Sequence, residues 1–300
     1  MKFKSSIKRL KFSGQAAVEI RTPQFRLVAL TAKGPRIAFW GRPDGENLLL
    51  WAPGKYFRGK WELMGGHRLW ISRPGADEAE ETYAADNQPC TVELLPNGFT
   101  VTAAVDPVLL TQRGFTVRAV AADRVEIDHF IINRSAMLWS GGVWAITATK
   151  PTAGTTYSAP LGDGSTWDYA TVVAIRTWGH NQGRKTFHDP QFELTDDSLR
   201  LIPGGVESKR MLKADRGIIG MHVPEQNLVF AKQTDYLPEG QYPLGTNLAL
   251  YTGKDSFMAE METMGPYTTV KPGHTLKQTE RWVLRDAQGE PTAKSLQALF

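Results

Sequence analysis

Residues Phe257–Leu284, FMAEMETMGPYTTVKPGHTLKQTERWVL, carry the pattern from which the rest of the chain is read. Apolar and β-branched residues lie on either side of Gly265-Pro266 and Lys271-Pro272-Gly273-His274, so the stretch reads as two antiparallel strands joined through turns. Alternate side chains of a strand point to the same face. Glu260 and Glu262 therefore stand together, flanked on that face by Met258 and Met264. An ionised carboxylate is costly to bury without a partner. The pair thus marks either a solvated edge strand or the lining of a cleft.

The same texture extends outward. Runs rich in Val, Ile, Thr, Phe and Trp recur at Ala16–Arg21, Phe25–Thr31, Arg36–Trp40, Thr91–Leu95, Phe99–Val105, Phe115–Val120 and Arg124–Asn133. They resume at Trp144–Thr149, Thr171–Thr177, Gly217–Val223, Asn227–Gln233 and Asn247–Tyr251. Pro96-Asn97-Gly98 and Pro203-Gly204-Gly205 sit between runs where hairpin turns are expected. Regular short strands with turn signals predict an all-β sandwich or barrel, and no composition shift divides residues 1–300 into more than one domain. Only Pro291–Phe300 reads as helix, with Pro291 suited to the first turn. The polar stretch Thr152–Asp168 reads as a long loop; its Tyr157 and Trp167, with Tyr169, either close over a ligand or pack among themselves.

A hydrophobic fraction of 41% supplies a sizeable core, and 22% charged residues suits a soluble globular protein. The net charge is +4, and Lys2, Lys4, Lys8, Arg9 and Lys11 all fall near the start, so residues 1–14 read as a flexible basic terminus. Elsewhere the two signs of charge interleave. No basic run carries spaced aromatics, which excludes a nucleic-acid track. The single Cys90 excludes an internal disulfide framework. With neither a secretory h-region nor an apolar run of about 18 residues, the expected setting is the cytoplasm, with no membrane partner.

Several chemistries fail on spacing. Gly179–Thr186, GHNQGRKT, has three residues between its glycines and Arg184 before the lysine, so it is no phosphate loop. No nucleophile elbow and no dinucleotide fingerprint is present. The histidines His67, His129, His180, His188, His222 and His274 show no metal-ligand spacing. Neither a metal nor a cofactor is expected.

Gly65-Gly66-His67-Arg68-Leu69-Trp70 survives. Two glycines let the backbone bend tightly or approach a ligand, Arg68 offers a rigid fork of donors, and Trp70 a flat apolar face. Such a mixture suits a sugar ring, with hydroxyls to bind and C–H faces to stack. Strand alternation puts His67 and Leu69 on one face, Arg68 and Trp70 on the other. A bulge holding a surface arginine and a core tryptophan would read the same way.

Thr22–Val28 (TPQFRLV), Gly34–Trp40 (GPRIAFW) and Glu46–Trp51 (ENLLLW) resemble the opening of galactose-mutarotase-like (aldose 1-epimerase) proteins. Gly65–Trp70 resembles the glycine-rich sugar-site turn of that superfamily. Asn133-Arg134-Ser135 is similar to its asparagine after a long strand, and Met261-Glu262-Thr263 stands where it carries a late catalytic glutamate. The resemblance spans roughly Pro23 to Leu284.

What the resemblance implies is a large antiparallel β-supersandwich with a sugar held in a cleft on one sheet. Glu262 is then the base that takes the anomeric hydroxyl proton, with Glu260 as the alternative two residues away. The superfamily's acid is a histidine on the strand after the Asn133 match. Gly141–Thr149 has none, and Trp144 stands there instead. His67 and His180 become the candidate proton donors, and Arg68, Trp70, Trp144 and Arg36 the candidate sugar-binding residues. Neighbouring carboxylates resist double ionisation, so one of the two glutamates titrates upward, which suits general acid–base work. The missing histidine leaves sugar recognition without turnover, or another reaction on a sugar acid, as alternatives. The expected ligand is a sugar or sugar-derived small molecule, bound by a monomer or homodimer.

Overall fold

Strand-forming and turn-forming residues alternate along almost the whole chain. The computed structural model describes residues 3–72, 85–162, 169–175 and 188–300, and gathers their strands into two large antiparallel sheets. In spatial order the first sheet runs Ser6–Phe12, Gln15–Arg21, Arg26–Leu30, Arg36–Gly41, Gly66–Ser72, Trp139–Thr149, Ala259–Met264, Leu248–Thr252, Ser208–Lys213 and Thr171–Ile175. Thr268–Val270 adds beside Trp139–Gly141. The second runs Phe192–Leu194, Ser198–Leu201, Thr156–Pro160, Ile218–Val223, Leu228–Thr234, Thr275–Asp286, Arg124–Asn133, Thr111–Ala121, Gly98–Val105 and Cys90–Leu95. No helix among the described residues is long and apolar enough to cross a membrane.

The inward faces of the two sheets meet in one apolar core. Ile20, Leu27, Trp40, Leu250 and Met261 come from the first sheet, and Phe115, Val125, Phe230 and Trp282 from the second. Trp282 lies 5.5 Å from Trp40 and 5.0 Å from Phe230, ring centre to ring centre. Each such fully buried apolar side chain contributes roughly 1.5–3 kcal/mol.

Several local expectations are corrected by this topology. The two strands of Phe257–Leu284 do not pair: Ala259–Met264 belongs to the first sheet and Thr275–Asp286 to the second. The residues between them cross the gap of about 10 Å between stacked sheets, held by Gly265 N–H on the Val143 carbonyl and Gly273 N–H on the Asn133 carbonyl. Pro203-Gly204-Gly205 likewise leads from one sheet to the other, whereas Pro96-Asn97 does close a two-residue hairpin. The basic start is no loose tail over Ser6–Phe12, which pairs with Gln15–Arg21. Its Ile7, Leu10 and Phe12 are half-buried, and its exposed lysines suit an edge that must not recruit further strands. Within Thr152–Asp168, Thr156–Pro160 is a strand, and Tyr157 is core, its hydroxyl 2.7 Å from Thr149 Oγ1. Trp167 lies outside the described residues, and Tyr169 is exposed. The terminal helix is Ala293–Gln297, shorter than expected and capped by Thr292 with Ser295.

One polar cluster interrupts the core. Lys232 and Glu280, both fully buried, pair at 2.7 Å. Trp282 Nε1 donates to Glu280 at 2.7 Å, and Thr263 Oγ1 donates to the same carboxylate. Beside them His67 Nε2 lies 2.8 Å from His129 Nε2. Burial holds the His67 ring neutral, well below its ordinary range, and the His129, Lys232, Arg68 and Arg36 charges push the same way. Burial also lowers His129, outweighing the opposite pull of Glu280. For Glu280, burial works upward, but Lys232 and His129 prevail and hold it below the usual carboxylate range. His67, His129 and Glu280 bring ligating atoms within 4.8 Å of one another. The Lys232 ammonium already neutralises that carboxylate, however, and a dication would be set against it.

The sign of the pH dependence follows. As pH falls through about 6.5 the unfolded chain takes up protons on both rings while the folded one does not. Stability is then expected to drop by up to roughly 2.7 kcal/mol per pH unit for two rings, with Glu280 adding a further loss below about pH 4.3. Urea midpoints measured from pH 7 to pH 5 should fall steadily. A flat profile would show that the rings titrate in the folded state.

Candidate functional site

The outward face of the first sheet is built at its centre by side-chain alternation. Three rungs cross the strands there. One runs Trp70, Trp144, Met264; the next Arg68, Ile146, Glu262, Ala249, Met211; the third Gly66, Ala148, Glu260, Tyr251, Lys209. The intervening residues Leu69, Ala145 and Met261 point into the interior. Ala259–Met264 lies between two neighbours, so its carboxylates belong to a central strand rather than a solvated edge.

The glycines that start Gly66–Ser72 serve the backbone. Gly65 and Gly66 have φ of +84° and +75°, and a Cβ on either would stand 2.3 Å from a carbonyl oxygen, of Leu50 and of Ile37 respectively. Only glycine permits that approach. The close contact is therefore with the chain itself.

Charge pairs bridge the rungs. Arg68 Nη2 donates to Glu260 Oε1 at 3.0 Å, with its guanidinium 4.5 Å from the Trp70 ring centre. Lys209 Nζ donates to Glu262 Oε2 at 2.8 Å, and Trp144 Nε1 donates to the same oxygen at 2.7 Å. Tyr251 Oη donates to Glu207 Oε1 at 2.5 Å. Trp70 Nε1 and Arg36 Nη2 both donate to Asp86 Oδ2, at 2.9 and 3.1 Å. Burial raises Glu260 above the ordinary carboxylate range; Arg68 draws it back down and Glu262 pushes it further up. Burial thus favours the protonated form of Glu260, while the Glu262 carboxylate is held by an ammonium and an indole.

Among the described residues, Glu262 Oε1, Asp86 Oδ1 and Arg68 Nε and Nη1 have no hydrogen-bond partner despite their burial. Buried polar atoms of this kind are rare in folded proteins. Four on one face give it unused donors and acceptors suited to a polar ligand.

Glu260, Glu262, Arg68, Trp70 and Trp144 are therefore brought together, as strand alternation predicts. Arg36 is adjacent but committed: its guanidinium donates to the Gly65 carbonyl, Asp86 and Asn87, so it supports the turn. His67 does not join them. It faces the core, 2.9 Å from Thr147 Oγ1, because it is one residue out of phase with Arg68. His180 lies outside the described residues. Lys209, Tyr251 and Asp86 were not anticipated. Ser208–Lys213, SKRMLK, carries too many cations to read as a strand, although Lys209 and Met211 keep the two-residue period that places them on this face. Asp86 is a lone acid on a short 3₁₀ turn and left no local signal.

No protein-family model and no curated protein matches the sequence. Solved structures do match in shape. An Escherichia coli K12 protein assigned provisionally as an aldose 1-epimerase aligns with TM-score 0.60 at 10% identity, over 94% of this chain and 100% of its own. A galactose mutarotase-like protein from Lactobacillus casei gives TM-score 0.60 at 11% identity, over 93% and 100%. A galactose mutarotase related enzyme from Lactobacillus acidophilus gives 0.60 at 10%, over 92% and 99%. The fold is thus the galactose-mutarotase-like β-sandwich.

Breaking the Lys209–Glu262 pair from one side leaves an uncompensated buried charge. Lys209→Met should cost about 3–5 kcal/mol in urea denaturation, and Lys209→Met with Glu262→Leu should recover most of it. A cost under about 1 kcal/mol would instead mark a water-screened pair.

Proposed function

We propose that the face holding Arg68, Trp70, Trp144, Lys209, Glu260 and Glu262 binds a sugar, and that the two glutamates interconvert its anomers by general acid–base catalysis. The observation that carries this reading is the unequal pair of carboxyls on one face of a mutarotase-like sheet. Glu262 is held by a cation and an indole, while Glu260 is pushed toward its neutral form. Residues two apart on a strand stand about 7 Å from each other, close to the width of a pyranose ring.

Glu262 takes the proton of the anomeric hydroxyl as Glu260 gives its proton to the ring oxygen. The C1–ring-oxygen bond breaks and an open-chain carbonyl forms at C1. C1 rotates, the ring recloses on the other face, and both protons return. No electrons leave the substrate and no co-reactant is consumed. Arg68 and Lys209 offer donors to hydroxyls, and the two indoles exclude water from the C–H faces. Assigning the acid to Glu260 replaces His67, which faces the core.

A second reading, recognition without turnover, is favoured by the ion pairs themselves. Each glutamate already has a cationic partner, at 3.0 and 2.8 Å, and a wall of paired charges binds hydroxyls without moving protons.

Exchange spectroscopy on a panel of aldoses and sugar acids separates the two. Turnover predicts anomer exchange above the spontaneous rate, reduced at least about 100-fold in Glu262→Gln. Activity should fall as pH rises through the raised Glu260 value, and Glu260→Gln should abolish that limb. Recognition alone predicts saccharide-dependent thermal stabilisation with no exchange. A panel that produces neither effect would sink both readings.

A further inference from the structure

We infer that Lys232 and Thr147 are positioning residues for the strand that carries Glu260 and Glu262, acting from the core through a hydrogen-bond chain that runs in one direction. The inference deepens the sugar-site reading and rests on it.

The direction follows from which atoms can donate. His129 Nδ1 lies 3.2 Å from the Gln278 carbonyl oxygen, which only accepts, so the proton of that ring is on Nδ1. His129 Nε2 is then an acceptor, and the hydrogen in its 2.8 Å contact belongs to His67 Nε2. His67 Nδ1 accepts in turn, from the Thr147 hydroxyl at 2.9 Å. The Thr147 oxygen receives one hydrogen of the Lys232 ammonium at 2.9 Å. The other two ammonium hydrogens go to Glu280 Oε1 at 2.7 Å and to the Met261 carbonyl at 3.2 Å. Each hydrogen meets one acceptor. Reversing any link sets two hydrogens against each other or leaves a buried group unpaired.

The chain grips a single rung of the first sheet. Thr147 is paired with His67 on one side and Met261 on the other. The Met261 carbonyl belongs to the peptide that leads into Glu262, so Lys232 holds that peptide from the second sheet while Glu262 projects from the opposite side. The outward contacts of Glu262, at 2.7 Å to Trp144 and 2.8 Å to Lys209, depend on this orientation. Catalytic geometry is intolerant of small displacements: about 1 Å can cost roughly 100-fold in rate.

Two measurements on the full chain decide the matter. Nitrogen-15 spectra of the histidines at neutral pH should show His67 protonated on Nε2 and His129 on Nδ1. The opposite tautomer, or a charged ring, at either position overturns the chain. Thr147→Val keeps the shape and removes the hydroxyl, and Thr147→Ser restores it. In Thr147→Val the indole Nε1–H resonance of Trp144, assigned by its loss in Trp144→Phe, should move upfield as its bond to Glu262 lengthens. The kcat for anomer exchange should fall about tenfold or more, with KM changed less than about threefold. Both should recover in Thr147→Ser. An unmoved resonance, or equal losses in the two variants, would reduce Thr147 to packing. Absence of exchange in the unmodified protein removes the sugar chemistry alone, and the tautomers and the indole resonance then decide the inference by themselves.

Discussion

A central strand buried on both sides must satisfy two environments with one alternating row of side chains. Ala259–Met264 is such a strand. Ala259, Met261 and Thr263 face the second sheet, and Glu260, Glu262 and Met264 face outward, Met264 against Met211, Ala249 and Trp144. All six of its side chains are buried, so the two carboxylates require partners. Arg68 and Lys209 supply them, each from the strand two places away on either side. The arrangement of the outer face is in this sense a consequence of keeping two glutamates in a buried strand.

The same strand is also held from beneath. Lys232 lies under the Met261 carbonyl, so cations flank the carboxylate row above and below. Among the described residues, the side chains of Lys232, Glu280, His67, His129 and Thr147 leave no buried polar atom unpaired, whereas Glu262, Arg68 and Asp86 do. That difference separates the two clusters. A closed network with every hydrogen used orders the sheets against each other, and an open one has capacity left for something else.

Alternation made part of this legible. The pairing of Glu260 with Glu262, and the separation of Arg68 and Trp70 from His67, follow from a period of two within single strands. The glycine pair before His67 pointed to a tight local approach, although the partner is the backbone of Leu50 and Ile37. Trp144 joined the site because its strand runs between the two others. Lys209 and Asp86 escaped detection because each owes its place to a neighbour more than 40 positions away in sequence. Nothing in the local pattern distinguishes a lysine that ends on a buried glutamate from one on the surface.

By itself, then, the sequence determined the strand texture, the all-β class, most turn positions and the faces within each strand. These depend on steric preferences of a few consecutive residues. Only the tertiary structure decided that Ala259–Met264 and Thr275–Asp286 part company into different sheets, that the basic start becomes an edge, and which cation meets which carboxylate. Those outcomes depend on which long-range pairing buries the most apolar surface while leaving fewest charges alone, a competition among distant segments that no local stretch records.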